Sequence, residues 1–546
     1  MPPTTSRYFD ANVTLGRHLR LTPGAPHTAA DLLAEMDHCG IAEALVVDAL
    51  ARENHPLDGN ARVLAAVAAT PRLHAAWAAL PAAGRDEQPV GEALLAALRA
   101  NRVGAVVFYP RQYRFSLADW CVDAFVEPLA AAGVPLIINP NEVGPGGVGG
   151  MDDTDWDGVV NLCRRWPALP VIVSEHRIRR SQRVLYRALD ACDNLRIETS
   201  GYWLHRGIEY VTRTWGARRL VFGSNWPVFG PPMSLATLAL AEIDEADRAL
   251  IAGDNLRSLI RWADPRTPEV ELAPPADEYV AFGRGGPKPA GLRISDCHGH
   301  MGPTACHYHL PDSDLDSVVR QLDRLGVAQV CIFGFTGVFG DEQPGNDLVA
   351  AAVARHPERF VGFTQLNPHR GRQAMLDELQ RGAAMGLRGV KLIPHYQGYP
   401  EHGELIDVAC AWADRHRQLI LNHHWGSAAQ VERLVSTYPE ACFLTGHSTA
   451  AYAEVMARHD NLYVCSCPLL GPRACEELAA AIGADRLLFG SDLEDLPVAW
   501  GLGPILFARL GVEDKERILG GNLRRLLACY SRREEGLPAA GWAAQP

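Results

Sequence analysis

Residues 294–300 read Ile294-Ser295-Asp296-Cys297-His298-Gly299-His300, a short apolar lead that runs into two histidines one residue apart. Residues two apart on a strand point to the same face, so His298 and His300 are expected to direct both imidazoles into one space where the strand ends. Neutral imidazole suits zinc and similar divalent ions. One such pair is weak evidence, but further donor residues recur in the same half of the chain.

These further donors each follow a short apolar run. They are Lys391, the pair His423 and His424, His447, and Asp492 in Gly490-Ser491-Asp492. Three imidazoles and a carboxylate form a four-donor set for one ion, and a fourth histidine remains for proton transfer. The pattern predicts a mononuclear metal site just past the ends of several strands.

The composition is that of a globular chain with more than one domain. It has 546 residues, of which 47% are hydrophobic and 21% charged, and a formal net charge of −12. This charge argues against a nucleic-acid or anionic-membrane partner, and no apolar run reaches the roughly 18 residues of a membrane helix. The first residues lack a charged head followed by an apolar core, so no secretion signal is expected. The thirteen cysteines lack a small-domain disulfide spacing, which favours reduced thiols in a cytoplasmic protein.

The chain contains a long internal repeat. Segments 9–16, 104–110, 136–141 and 219–225 align with 295–302, 388–394, 419–424 and 486–492. The offset between aligned residues falls from 286 at the first pair to 267 at the last, as loop insertions and deletions between fixed strands would produce. The chain is therefore interpreted as a tandem duplication of a unit of about 250 residues, the usual size of one α/β barrel.

Each unit alternates β-branched runs with helical stretches. In the second unit, strands are expected at 328–333, 360–365, 389–393, 419–422, 441–445, 462–464 and 487–489, besides the strand of the His-x-His pair. Near-continuous apolar strands with intervening helices indicate a parallel sheet covered by helices. The predicted fold class is α/β, with two tandem (β/α)8 TIM-type barrels and the metal site at the C-terminal strand ends of the second. The predicted domains are 1–264, a Pro- and Gly-rich linker 265–291, 292–531, and a tail 532–546.

The set of motifs in the second unit resembles the amidohydrolase superfamily. The pattern is His-x-His, His-x-Gly after strand five, a histidine after strand six and Gly-Ser-Asp after strand eight, over about 293–529. It is most similar to the amidohydrolase-related branch that includes the aminocarboxymuconate-semialdehyde and resorcylate decarboxylases. The resemblance implies metal ligation by His298, His300, His424 and Asp492. It implies that His447 polarises the substrate or activates water, and that Asp492 doubles as the base. Zinc is the default ion, with manganese or iron as alternatives.

Several positions leave alternatives open. Neighbouring residues on a strand face opposite sides, so only one of His423 and His424 is expected at the barrel mouth, and the spacing to Gly426 favours His424. Lys391 is expected to position substrate or bind its carboxylate, with a carboxylated bridging ligand or a plain salt bridge as alternatives. Further candidates for substrate contacts are His395, Tyr396 and Trp425. The segment 306–310 is interpreted as a substrate lid or a surface loop.

The first unit has lost these donors. Asn12, Thr14, Val107, Asn141 and Asn225 stand where the second unit has His298, His300, Lys391, His424 and Asp492, and only His176 matches its counterpart His447. Amide and hydroxyl oxygens bind zinc-type ions poorly, so this barrel is predicted to be non-catalytic and kept for packing, regulation or substrate shaping.

The two units are expected to pair within the chain. Barrels of the resembling branch commonly pair, so an intrachain pseudo-dimer is predicted, with homo-oligomerisation as an open question. The resembling decarboxylases borrow an arginine from the neighbouring barrel. An arginine-rich run at 177–187 would lend such a residue to a substrate carboxylate, or is a solvated helix face.

The expected function is a metal-dependent hydrolase of a small ester, lactone or amide. Activated water would attack the carbonyl, Asp492 would take the proton and His447 would polarise the oxygen. The alternative is a non-oxidative decarboxylase or hydratase of an aromatic or unsaturated acid with the same ligands. The sequence leaves both open because the metal set is shared and the loops decide the substrate. A binding protein without activity is disfavoured, because the second unit keeps every donor that the first has lost.

Overall fold

The computed structural model describes residues 6–19, 24–68, 70–84, 87–141, 154–302, 305 and 308–530. Its strands form two eight-stranded sheets in which successive strands are neighbours and run parallel. The first sheet contains β1 (Tyr8–Leu15), β2 (Ile41–Asp48), β3 (Leu73–Ala78), β4 (Ala105–Phe108), β5 (Leu136–Ile138), β6 (Val171–Val173), β7 (Leu195–Glu198) and β8 (Leu220–Val221). The second contains β9 (Ile294–Met301), β10 (Val327–Gly334), β11 (Phe360–Gln365), β12 (Gly389–Leu392), β13 (Leu419–Asn422), β14 (Cys442–Thr445), β15 (Leu462–Cys465) and β16 (Leu487–Leu488).

Helices connect the strands, since parallel neighbours need crossover connections. In the first half they are α1 (Ala29–Cys39), α2 (Leu50–Glu53), α3 (Pro56–Ala68), α4 (Gly91–Ala100), α5 (Asp119–Ala132), α6 (Trp156–Arg165), α7 (Gln182–Ala191), α8 (Gly207–Trp215), α9 (Pro231–Ala239), α10 (Glu245–Ala249) and α11 (Asn255–Ile260), and α12 (Glu278–Gly283) lies in the linker. In the second half they are α13 (Leu315–Leu325), α14 (Thr336–Phe339), α15 (Glu342–Arg355), α16 (Arg372–Ala384), α17 (Pro394–Gln397), α18 (Glu404–Arg415), α19 (Ala428–Thr437), α20 (Ala453–Met456), α21 (Ala474–Ile482), α22 (Val498–Leu506), α23 (Val512–Glu516) and α24 (Asn522–Cys529).

This architecture confirms the predicted pair of tandem (β/α)8 barrels, called here the N-terminal barrel (β1–β8) and the C-terminal barrel (β9–β16). The predicted domain boundaries stay predictions, and the tail 532–546 and residues 306–307 of the predicted lid lie outside the described residues. Within the described ranges, every helix falls short of the combination of length and hydropathy that crossing a membrane requires.

Each barrel closes between its first and last strands through a buried aspartate. In the C-terminal barrel, Asp296 of β9 accepts hydrogen bonds from the hydroxyl and the backbone N–H of Ser491, the latter at 3.1 Å. In the N-terminal barrel, Asp10 of β1 accepts the N–H of Ser224 at 2.9 Å. Burial raises the pKa of both carboxyl groups to about 7. The closure brings the end of β9 beside the turn after β16.

Glycine caps end the helices that lead into the second strand of each barrel. Gly40 (φ 78°) follows α1 and Gly326 (φ 80°) follows α13. A left-handed backbone favours glycine because a Cβ would be strained there. At the other ends of these helices, Thr28 and Asp314 accept backbone N–H groups of the first turn. The two units therefore share the same N-terminal and C-terminal helix caps at this position, although their metal donors differ.

Apolar side chains fill the interior of each barrel and the layer between strands and helices. In β13, Leu419 and Leu421 belong to the interior cluster of the C-terminal barrel, whereas Ile420 belongs to the outer layer. All three are completely buried. The strands are thus apolar on both faces, as expected for a parallel sheet covered by helices.

The two barrels pack through equivalent helices. Helix α9 follows β8 and α22 follows β16, and they approach so closely that a Cβ on Gly503 would lie 2.1 Å from the carbonyl oxygen of Pro232. Trp203 and Trp500 stack nearby, with ring centroids 5.0 Å apart and an interplanar angle of 29°. The contact joins matching faces of the repeat, as an isologous interface does.

We expect Gly503→Ala to destabilise the protein, because the new methyl would collide with the backbone of Pro232. The expected loss is about 1–3 kcal/mol of unfolding free energy, typical of overpacking. Gly511→Ala is the matched control, since a Cβ there meets nothing within 4 Å. Urea-unfolding midpoints test this; equal midpoints for the two variants would contradict the close approach of α9 and α22.

Candidate metal centre

His298, His300 and Asp492 meet at the C-terminal end of the second barrel. One donor atom from each lies within 4.8 Å of the other two, and no other such group of His, Cys, Asp or Glu is found among the described residues. Asp492 Oδ1 is 3.0 Å from His300 Nε2 and 3.3 Å from His298 Nε2. The side chains are 1%, 8% and 14% exposed for His298, His300 and Asp492. We call these three residues the donor cluster.

A β-bulge in β9 turns His298 into the barrel. Positions 330 and 332 of β10 pair with 296 and 299 of β9, so β9 carries one extra residue there. Bulges re-aim side chains in this way and are frequent beside active sites. The His298 ring centroid lies 5.2 Å from that of Phe333, and the His300 ring lies 4.6 Å from Phe333 and 4.5 Å from Phe335. These two phenylalanines, which the sequence did not single out, wall the donor cluster on one side.

A backbone carbonyl beside the donor cluster determines which ring nitrogen of His298 carries the proton and which offers a lone pair. His298 Nδ1 lies 2.9 Å from the carbonyl oxygen of Gly446. A carbonyl only accepts, so Nδ1 carries the proton and Nε2 presents its lone pair towards Asp492. Asp492 adopts φ 60° in the turn after β16, and its N–H donates to the His298 carbonyl at 2.9 Å. The donors are therefore oriented by hydrogen bonds outside the cluster.

Burial sets the protonation states at the site. It holds the pKa of His298 well below its ordinary value, and the nearby Lys391 lowers it further. Burial also lowers the pKa of His447. For Asp492 burial acts in the opposite direction, but His298 and His300 outweigh it, and the pKa of the carboxyl lies well below its ordinary value. Neutral imidazole and ionised carboxylate are the states in which these groups bind a divalent ion, so the donor cluster fits such an ion.

The structure differs from the prediction at His423 and His424. His424 is exposed, with 57% of its side chain accessible, and its Nδ1 lies 2.8 Å from Glu401 Oε1. The His423 ring instead lies 4.1 Å from that of His447, edge to face. Burial, together with His447 and Lys391, lowers the pKa of His423 to about 2. The reason is the phase of β13: Leu419 and Leu421 face the interior, and the alternation of a strand continues to residue 423.

Lys391 is fully buried beside the donor cluster. Its Nζ lies 4.1 Å from the ring centroid of Phe333 and has no hydrogen-bond partner in the described part of the chain. Burial lowers the pKa of this ammonium to about 8. The plain salt bridge considered from the sequence is absent among the described residues, and the charged group is left for a ligand to satisfy.

The three further candidates for substrate contacts occupy different environments. The Tyr396 ring is 48% exposed and lies 4.8 Å from that of His423, edge to face. His395 is exposed and lies parallel to His423 at 6.1 Å. Trp425 does not line the site: it is 1% exposed, and its Nε1 donates to the Leu444 carbonyl at 2.8 Å. Its ring packs into the barrel wall, and a substrate contact by Trp425 stays a prediction.

A hydrogen-bonded network occupies the corresponding position in the N-terminal barrel. Asn12 Nδ2 donates to Glu198 Oε2 at 2.8 Å, and two serine hydroxyls donate to the same oxygen at 2.9 and 2.7 Å. Asn225, the counterpart of Asp492, contacts His176 Nδ1 at 3.1 Å. Burial raises the pKa of Glu198. No sequence motif had marked this residue. The polar groups of this barrel thus satisfy one another where the other barrel presents metal donors.

Arginines of the N-terminal barrel reach the mouth of the C-terminal barrel. Arg179 forms an ion pair with Asp495 Oδ2 at 3.1 Å, and its guanidinium lies 5.3 Å from the Tyr308 ring. Arg177 is half-buried and has no ion pair among the described residues. Burial and the neighbouring arginines lower the pKa of Arg177, and Tyr396 is among the groups that interact with it. Of the predicted arginine run, Arg179 thus has an ion pair at this mouth, whereas Arg177 has none among the described residues.

The family follows from these motifs in their structural setting. The sequence model of the amidohydrolase family matches residues 16–262 and again 295–528. The chain belongs to the amidohydrolase family. No curated protein matches the chain.

Solved structures that resemble this amidohydrolase cover about the length of one barrel. They include 5-carboxyvanillate decarboxylase from Sphingomonas paucimobilis (15% identity, 44% of this chain and 99% of that chain, TM-score 0.34). They also include 2,6-dihydroxybenzoate decarboxylase from Rhizobium (16% identity, 44% and 98%, TM-score 0.34) and 4-oxalomesaconate hydratase from Rhodopseudomonas palustris (15% identity, 43% and 96%, TM-score 0.34). At TM-scores this low, the likenesses do not indicate the reaction of this chain.

We expect Lys391→Met to stabilise the metal-free protein at pH 7, because the change removes a buried ammonium that has no hydrogen-bond partner among the described residues. The pKa falls from 10.5 to about 8 on folding, which corresponds to about 3 kcal/mol. Between these values the unfolded chain binds more protons, so wild-type stability rises with pH and the advantage of the variant shrinks.

Chelator-treated protein in urea titrations at pH 7 and pH 10 tests this expectation. Lys515→Met is the matched control, since Lys515 is equally buried but has Asp277 Oδ2 at 2.7 Å, and its loss should destabilise. A Lys391→Met variant that is less stable than wild type at pH 7 would show that the ammonium has a partner.

Proposed function

We propose that the C-terminal barrel is a metal-dependent hydrolase that acts on a small ester, lactone or amide carrying an anionic group. The proposal is carried by the donor cluster, in which two imidazoles and a carboxylate converge. Membership of the amidohydrolase family supports it. We further propose His423, rather than His424, as the third imidazole at the site. One divalent ion is proposed, with zinc as the default and manganese or iron as alternatives.

The residues around the donor cluster are placed to handle protons and exclude water. A divalent ion held there would supply Lewis acidity, which activates water and polarises a carbonyl group. His447 lies beside His423, and its lowered pKa leaves it neutral at pH 7. It can therefore accept a proton from water and return it to the leaving group. Asp492 is a second proton acceptor, and Phe333 and Phe335 keep solvent from one side of the cluster.

Two unpaired cations favour an anionic substrate. Lys391 Nζ lacks a hydrogen-bond partner and Arg177 lacks an ion pair among the described residues. A substrate carboxylate would satisfy such groups with charge-assisted hydrogen bonds. The same observation favours a second candidate, non-oxidative decarboxylation or hydration of an unsaturated acid, because both reactions need a bound carboxylate. In either case the N-terminal barrel contributes Arg177 to the site.

A substrate panel separates the two candidates. Metal-loaded protein is incubated with esters, lactones and amides, each with and without a carboxylate, and with aromatic and unsaturated acids. Hydrolysis, carbon dioxide release and addition of water to the carbon–carbon double bond are measured in parallel. We expect hydrolysis of the carboxylate-bearing compounds, and a KM about tenfold higher in Arg177→Gln for these compounds but not for their neutral analogues. Carbon dioxide release or water addition without hydrolysis would select the second candidate, and no turnover of any of the three kinds by protein that contains the ion would sink both.

His423 and His424 form a matched pair for testing the site. We expect His423→Ala to lower kcat/KM at least about a hundredfold, because loss of a metal ligand or its orienting partner commonly costs this much. We expect His424→Ala to stay near wild type, because the ring is exposed and contacts Glu401. Activity and bound metal of the two variants are compared side by side. The reverse ranking would restore His424 as the ligand.

A further inference from the structure

The N-terminal barrel makes a specific contact with the segment that follows the metal-binding strand. Gln182 stands at the start of α7 in the N-terminal barrel and is 1% exposed. Its Nε2 donates to the carbonyl oxygen of His309 at 2.8 Å, and its Oε1 accepts the N–H of His309 at 2.7 Å. The carboxamide thus satisfies both backbone groups of one residue of the C-terminal barrel.

Gln182 is itself held in place. Its Nε2 also lies 3.2 Å from the hydroxyl of Tyr186, which is 2.7 Å from the hydroxyl of Tyr202. The Tyr210 ring stacks on Tyr186 at 5.3 Å and meets the His309 ring at 5.5 Å. Because Gln182 is already held by Tyr186, it loses little conformational entropy when it binds the backbone of His309.

Neighbouring residues of the same segment are held by the same barrel. Tyr308 is 7% exposed and lies under the guanidinium of Arg179. Asp312 lies 3.5 Å from both Arg206 and Arg213. Residues 308–312 are therefore anchored by hydrogen bonds, a cation–ring contact and ion pairs, all of which come from the N-terminal barrel.

This anchored segment adjoins the donor cluster. It lies beyond the end of β9, which carries His298 and His300. Arg179 joins it to Asp495, and the N–H of Asp495 donates to the carbonyl of Asp492 at 2.9 Å. The placement of Tyr308 at the mouth thus depends on the N-terminal barrel.

We propose that Gln182 is a positioning residue for the C-terminal site, and that the N-terminal barrel serves as a built-in scaffold that fixes residues 308–312 at the mouth. The carboxamide acts through the backbone of His309 and does not touch the substrate. The inference stands on the contacts between the barrels, and it requires of the proposed function only that the C-terminal barrel holds the site.

Gln182→Met tests the proposal, because methionine keeps the length of the side chain but cannot make either hydrogen bond. We expect amide hydrogen exchange in residues 308–312 to accelerate about tenfold or more, while exchange in β9 and in the N-terminal strands stays unchanged. We expect KM for the substrate found in the panel to rise about tenfold, with bound metal and the unfolding midpoint near wild type. Val184→Ala, an exposed position on the same helix, is the control and should change none of these.

Unchanged exchange at 308–312 in Gln182→Met would overturn the proposal, whatever the substrate panel returns. Faster exchange with unchanged kcat and KM would also overturn it, since the segment would then be held for stability alone. If Gln182→Met does not fold, Gln182→Asn carries the same test, because it keeps a neutral carboxamide but is one methylene too short to reach both backbone groups of His309. Failure of every panel compound would count against the proposed function, and the exchange measurement would still decide the inference.

Discussion

The closure of the second barrel is the constraint on which the site depends. Asp296 in β9 accepts two hydrogen bonds from Ser491, which follows β16. This contact fixes β9 against the turn that follows β16. His300 and Asp492 are 192 residues apart in sequence, yet they lie 3.0 Å apart. A buried carboxylate that accepts hydrogen bonds from both strand ends is costly to leave unpaired. The stability of the barrel and the geometry of the donor cluster are therefore set by one interaction.

The N-terminal barrel shows that closure and chemistry are separable. Asp10 binds Ser224 just as Asp296 binds Ser491, so the fold persists. Two asparagines and a threonine stand in place of the donors, and Glu198 accepts hydrogen bonds from Asn12 and two serines. Because polar groups inside a barrel must be satisfied, loss of the ligands required a substitute network. The N-terminal barrel still contacts the C-terminal barrel through α9, Arg179 and Gln182.

The fold was predictable because its signals are local and repeated. Apolar runs, helix caps and the aligned motifs of the two units indicate parallel strands and their order. His298, His300 and Asp492 were predictable as neighbours because strand ends of a barrel meet at one face. The choice between His423 and His424 was not predictable, because β13 is apolar on both faces and its sequence does not reveal which face turns inward. The environment of Trp425 was not predictable for the same reason, because it depends on which face of β13 turns inward. Gln182 and Glu198 carry no motif, and their roles depend on how elements far apart in sequence pack together.

The C-terminal barrel is proposed to hold an ion that the N-terminal barrel cannot bind. A crystal of the full chain, with diffraction recorded on both sides of the absorption edge of the metal that the purified protein contains, locates that ion directly. We expect one anomalous peak per chain, within bonding distance of His298, His300 and Asp492. A peak beside Asn12 and Asn225, or protein that contains the ion but shows no peak at the donor cluster, would contradict it.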